Sequence, residues 1–207
     1  IADIGLTGFA LDQAVSLVNY VMRLRGAGDS EVTQAELQSI TLPAGIDPGL
    51  VRPYIEVPGG IGDVTLNTYY WLQEVAPARG LGILDSESKV SVTGHSLGGH
   101  LAAMAIRLFP ELFDQAITFN APGFDPLSSK ALTDQFVSLF GEFMVISPAE
   151  SFADIATRVT FIESESSEPG DDVSVVASLL TGVPVGQEVL IHTEMNSHSM
   201  DQLMDAL

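Results

Sequence analysis

The chain has no cysteine, so neither a disulfide framework nor a thiolate metal site can form. Cations are scarce as well: 8 Lys and Arg stand against 27 Asp and Glu, giving a net charge of -19. Such a surface repels phosphate backbones and excludes nucleic acid as a partner. It suits high salt or surroundings rich in divalent cations, where counterions screen the self-repulsion. No run of about 18 apolar residues is present to span a membrane. The first residues also lack the basic, apolar and small-residue succession of a signal peptide. What the chain has is 46% apolar residues in 207, enough to fill the core of one globular domain over 1–207. It opens on Ile1 inside folded-looking sequence, as a domain cut from a longer protein would.

Apolar residues at Phe9, Val15, Val18, Val21, Met22 and Leu24 follow a helical repeat that ends at Gly26, which predicts a helix over residues 8–25. Residues 26–62 break into Gly, Pro and scattered Val and Ile, a long irregular excursion with room for short strands and a short helix start at Thr33-Gln34-Ala35-Glu36. A Pro- and Gly-rich loop over 43–62 could serve as a cover. Leu66, Tyr69, Tyr70, Leu72 and Val75 return to helical spacing, so 63–78 is predicted helical and closed by Pro77. Beyond it, strands are predicted at 89–93, 115–119, 158–163 and 188–193, with helices at 97–109 and 127–143. Strands alternating with helices imply an α/β fold built of parallel βαβ units, a mostly parallel sheet with helices on both faces.

Chemistry concentrates at Gly94-His95-Ser96-Leu97-Gly98, a G-x-S-x-G pattern. In a nucleophile elbow such a pattern forms a strained strand-to-helix turn that projects the serine hydroxyl. The motif follows the β-prone Lys89-Val90-Ser91-Val92-Thr93 and opens a helix through Leu101, Ala102, Ala105, Ile106 and Leu108, the context the chemistry requires. Both motif glycines are expected to be needed, because side chains there would collide in the turn. The helix start offers the Leu97 N–H as an oxyanion donor.

The stretch Val92-Thr93-Gly94-His95-Ser96-Leu97-Gly98-Gly99-His100-Leu101-Ala102, followed by Phe119-Asn120-Ala121-Pro122-Gly123, resembles the class 3 lipases. Within that group it is most similar to bacterial extracellular lipases and phospholipases with calcium-binding repeat tails. The likeness covers residues 89–124 and returns around 158–203. The resemblance implies an α/β-hydrolase fold, ester substrates with acyl chains, a secreted protein, and a triad in the order Ser, Asp, His. It also implies transient contact with a membrane or micelle surface, no cofactor for the chemistry, and room for a structural calcium. No EF-hand spacing and no calcium-binding repeat occurs in the chain, and no metal ligand is named. The family draws its second oxyanion N–H from a loop after an early strand, which would lie before Asp3, so the sheet is expected to lack its first strands here.

Of the four histidines, His95 lies in the elbow, His100 one turn along the following helix and His192 inside a predicted strand, where packing or hydrogen bonding is the simpler role. His198 follows the last strand in the loop Met195-Asn196-Ser197-His198-Ser199-Met200 and is the candidate base. The acid should lie on a loop after a parallel strand between Ser96 and His198. Asp171 comes first, Asp172 second and Asp125 third, with Glu163 and Glu165 as outsiders. The resemblance favours an Asp before Val after the later strand. Phe136, Leu139, Phe140, Phe143 and Met144 form an apolar stripe suited to core packing or to an acyl cleft. Tyr69, Tyr70 and Trp71 cannot share one helix face. The competing functions are a short-chain esterase or thioesterase with the same triad, and a non-catalytic module that keeps the elbow.

Overall fold

Leu11, Ala14, Val15, Val18 and Val21 recur at helical spacing and form the buried stripe of α1 (Leu11–Arg25). The computed structural model describes residues 10–61, 63–124, 135–136, 138–140, 152–166 and 185–193. They belong to two compact units, one of residues 10–87 and 130–148, the other of 1–9, 88–129 and 149–207.

In the first unit, α1 ends at Gly26, and the segment after the sheet returns to it. The N–H groups of Leu81, Ile83 and Leu84 donate to the Arg23 and Leu24 carbonyls, satisfying groups that a helix end leaves open. The sheet itself is antiparallel. Strands β1 (Glu31–Pro43), β2 (Ile55–Ile61) and β3 (Val64–Arg79) lie in the order β1-β3-β2. This corrects two expectations: Thr33–Glu36 belong to β1 rather than to a helix start, and 63–78 is strand, not helix. Thr65, Thr68, Tyr69, Tyr70, Trp71 and Val75 are β-branched or aromatic and favour a pleated surface, while helical spacing arose because the apolar residues sit on both faces. The three aromatics that could not share a helix face alternate across the strand, and Tyr69 and Leu72 are buried. Pro77 does not end the element. The register passes from Val32↔Ala78 to Gln34↔Val75, so Ala76 and Pro77 stand opposite Thr33 in a bulge, where a missing N–H is tolerated. Part of the expected 43–62 loop is likewise strand β2, paired to β3 from Ile55↔Tyr70 to Ile61↔Val64. Phe136 and Phe140 of the predicted 127–143 helix are helical and buried, with rings edge to face at 5.1 Å, as core residues pack. The rest of that helix, with Phe143 and Met144, lies outside the described residues.

The second unit holds a four-stranded parallel sheet in the order β4-β5-β6-β7, made of Val90–His95, Phe113–Phe119, Val159–Ser166 and Gln187–Thr193. Each predicted strand is present, extended by one to three residues at an end. Helix α2 (Leu97–Leu108) packs on β4 and β5, burying Ala102, Ala103, Met104, Ala105, Ile106 and Leu108. The chain is thus α/β with a parallel sheet, and carries an antiparallel sheet as well. Among the described residues no helix is long and apolar enough to cross a membrane.

Candidate active site

Strand β4 ends at His95 and α2 begins at Leu97, so the whole change of direction falls on Ser96. Its backbone takes φ 54, ψ -128, a region that residues with a side chain rarely occupy. Three hydrogen bonds fix it there. Ser96 N–H donates to the Phe119 carbonyl at 2.9 Å, and the Ser96 carbonyl accepts from Gly99 N–H at 2.9 Å and His100 N–H at 3.2 Å. Ser96 is half-buried at the carboxyl end of the parallel sheet. Leu97 is the first residue of α2, so its N–H is among those a helix start leaves without an internal partner.

Close packing explains two of the glycines and not the third. A Cβ on Gly94 would stand 2.2 Å from the Gly98 carbonyl carbon and oxygen, and one on Gly99 would stand 2.6 Å from Ala121 Cβ. A Cβ on Gly98 would meet nothing within 4 Å. The expectation that both motif glycines are sterically required therefore holds for Gly94 and fails for Gly98, while Gly99 takes the second role.

Beside the elbow, Asn120 directly follows β5 in a left-handed conformation, φ 45, that asparagine tolerates better than most residues. Its N–H donates to the Ile162 carbonyl at 2.9 Å. Its buried side-chain Oδ1 accepts from Ser164 N–H at 2.8 Å and Ser164 Oγ at 3.0 Å. Asn120 thus ties β5 to β6 at the edge of the sheet where Ser96 lies. Sequence reasoning missed this role; the signal was an asparagine immediately after a strand and before Ala121-Pro122.

His100 has a packing role, as its position on α2 suggested. Its ring is buried, stacked on Phe124 at 4.1 Å, and its Nδ1 lies 3.2 Å from the Pro122 carbonyl. A carbonyl only accepts, so Nδ1 carries the proton. Burial lowers its pKa from 6.5 to about 4, against the opposing hydrogen bonds at Pro122 and Gly123. It is neutral near pH 7. His95 is the half-buried last residue of β4, and His192 falls in β7 as expected.

The candidate base His198 and the candidate acids Asp171, Asp172 and Asp125 lie outside the described residues. Glu163 is half-buried in β6, and Glu165 belongs to the same strand. Among the described residues no group of three or more His, Asp or Glu could hold a metal ion. No family model, no curated protein and no solved structure matches the chain.

Proposed function

We propose that this chain is a carboxylic-ester hydrolase of the α/β-hydrolase type acting on acyl lipids, with Ser96 as its nucleophile. The observation that carries the reading is the Ser96 backbone, held at φ 54 between a parallel strand and a helix N-terminus. Strain of this kind persists only where surrounding structure enforces it, and it is a recurrent device for exposing a nucleophile. The order of the sheet supports the rest. In sequence, Asp171 and Asp172 follow β6 and His198 follows β7, and both strands run parallel to β4, which leads directly into Ser96. The order Ser, acid, His is thereby compatible with three loops at one edge of one sheet.

In this mechanism His198 takes the Ser96 proton as Oγ attacks the ester carbonyl, and Asp171, with Asp172 as the alternative, orients the imidazole. The Leu97 N–H stabilises the oxyanion at the positive end of α2. Collapse of the tetrahedral intermediate expels the alcohol, protonated by His198. Water, deprotonated by the same imidazole, then releases the fatty acid from Ser96. No cofactor enters these steps; a structural calcium, secretion and contact with a lipid surface are further parts of the proposal.

Hydrolysis of p-nitrophenyl butyrate and palmitate tests it, with Ser96→Ala and His198→Ala beside the parent chain. Turnover is expected from the parent and loss of at least about a thousandfold in either variant. A folded parent that neither turns over these esters nor reacts with a fluorophosphonate at Ser96 would refute the reading. Preference for the butyrate would replace a lipase with a short-chain esterase.

A further inference from the structure

A second feature, independent of Ser96, lies in the antiparallel unit. Strand β1 has one neighbour among the described strands, β3, and no other described strand pairs with its second edge. Which backbone groups face that edge follows from Asn19. Its carboxamide donates from Nδ2 to the Ala35 carbonyl at 2.7 Å and accepts from the Ala35 N–H at 3.0 Å. The side chain thus occupies the place of a residue in an adjoining strand. Residues of an antiparallel strand alternate between its two edges, so Leu37, Ser39 and Thr41 also point their N–H and C=O groups outward. The even set bonds inward, in line with Ala44 N–H donating to the Thr65 carbonyl.

Two further observations set this edge apart. The outer edge of β2 carries Glu56 and Pro58, residues that discourage strand addition, whereas residues 37–42 of β1, Leu-Gln-Ser-Ile-Thr-Leu, contain neither charge nor proline. A cleft of about 720 Å³ also opens between α1 and β1, bounded by Asp12, Val15 and Asn19 on the helix and Ala35, Glu36 and Leu37 on the strand. That volume lies within the range of binding clefts. A helix alongside an open strand edge is the arrangement in which extended peptides add to a sheet.

We infer that this cleft binds an extended peptide of alternating basic and apolar residues, which pairs with β1 from Leu37 to Thr41. Apolar side chains would meet the half-buried Leu37, and basic ones the exposed Asp12 and Glu36. The net charge of -19 favours a cationic occupant over an acidic segment or a second copy of the chain.

The test is fluorescence anisotropy of the full chain with a labelled peptide of alternating lysine and valine. The same peptide N-methylated at alternate residues keeps its charge and loses its edge hydrogen bonds, and a glutamate-valine peptide reverses the charge. Saturable binding of the first is expected, with affinity about tenfold lower for the N-methylated form and no measurable binding of the acidic one. Leu37→Pro, which removes an outward N–H while leaving the ladder to β3 intact, should also weaken binding about tenfold. If that variant fails to fold, the N-methylated peptide tests the same bonds from the ligand side. Equal binding of the N-methylated or acidic peptide overturns the inference. So does a dimer in sedimentation that Glu36→Lys leaves intact and lysine-valine peptide fails to dissociate, since a second copy would then own the edge.

Discussion

Substituting alanine for one glycine at a time in the elbow separates what the motif implies from what the geometry requires. At Gly94 an added Cβ would press on the Gly98 carbonyl group at 2.2 Å, which is backbone and cannot rotate aside. The start of α2 would have to move away from β4, and overpacking of this kind costs about 1–3 kcal/mol. At Gly98 the Cβ enters open space in the first turn of a helix, and the backbone there does not have positive φ. Alanine should therefore stabilise by about 0.5–1 kcal/mol through reduced entropy of the unfolded chain and better helix propensity. In a chain of this size 1 kcal/mol moves Tm by about 2–4 °C. Gly94→Ala should then melt about 2–12 °C below the parent and Gly98→Ala about 1–4 °C above it, followed by circular dichroism at 222 nm. Equal destabilisation by the two substitutions would show that the Gly98 site is closed and that the steric argument is wrong.

Ser96→Gly should raise stability by about 1 kcal/mol, because glycine occupies φ 54 without strain, while abolishing fluorophosphonate labelling; a lower Tm would argue against a strained serine. Asn120→Ala leaves the buried Ser164 N–H without its acceptor and should cost about 1–3 kcal/mol in chemical denaturation, and a neutral result would remove the β5 to β6 tie from the account. The depressed pKa of His100 makes stability depend on pH. The unfolded chain takes up its proton near 6.5 and the folded chain only near 4, so stability falls as pH drops through that window, by about 3 kcal/mol in total. His100→Phe should flatten the stability profile between those pH values relative to the parent, whereas an unchanged slope would show that this imidazole titrates normally.

The second unit was legible in the sequence because its signals are local. β4 and β5 are short β-prone runs followed by turn residues, and Gly94, Ser96 and Gly99 mark the turn. The antiparallel sheet was not, for a physical reason. Strand β3 buries residues on both faces, Tyr69 on one and Leu72 on the other, so its apolar residues fall three apart and mimic a helix. Its assignment rests on pairing with β1 and β2, which are distant in sequence and leave no trace in a short window. Pro77 compounded the error, since a proline suits a bulge as well as a helix end. Asn19 was invisible as a structural residue because what it binds is the backbone of Ala35, and backbone partners have no sequence signature; Asn120 reaches both the backbone and the hydroxyl of Ser164, 44 residues on, which no short window shows.

Strands β4 to β7 lie side by side in the order in which they are synthesised. These four described strands can be laid down vectorially, each new one finding the edge left by the one before. Ser96 and α2 emerge directly after β4, whereas in sequence His198 follows β7, the last of these four strands. In the triad reading the nascent chain carries a poised hydroxyl throughout elongation and acquires its base only at the end, so a partly made chain is chemically silent.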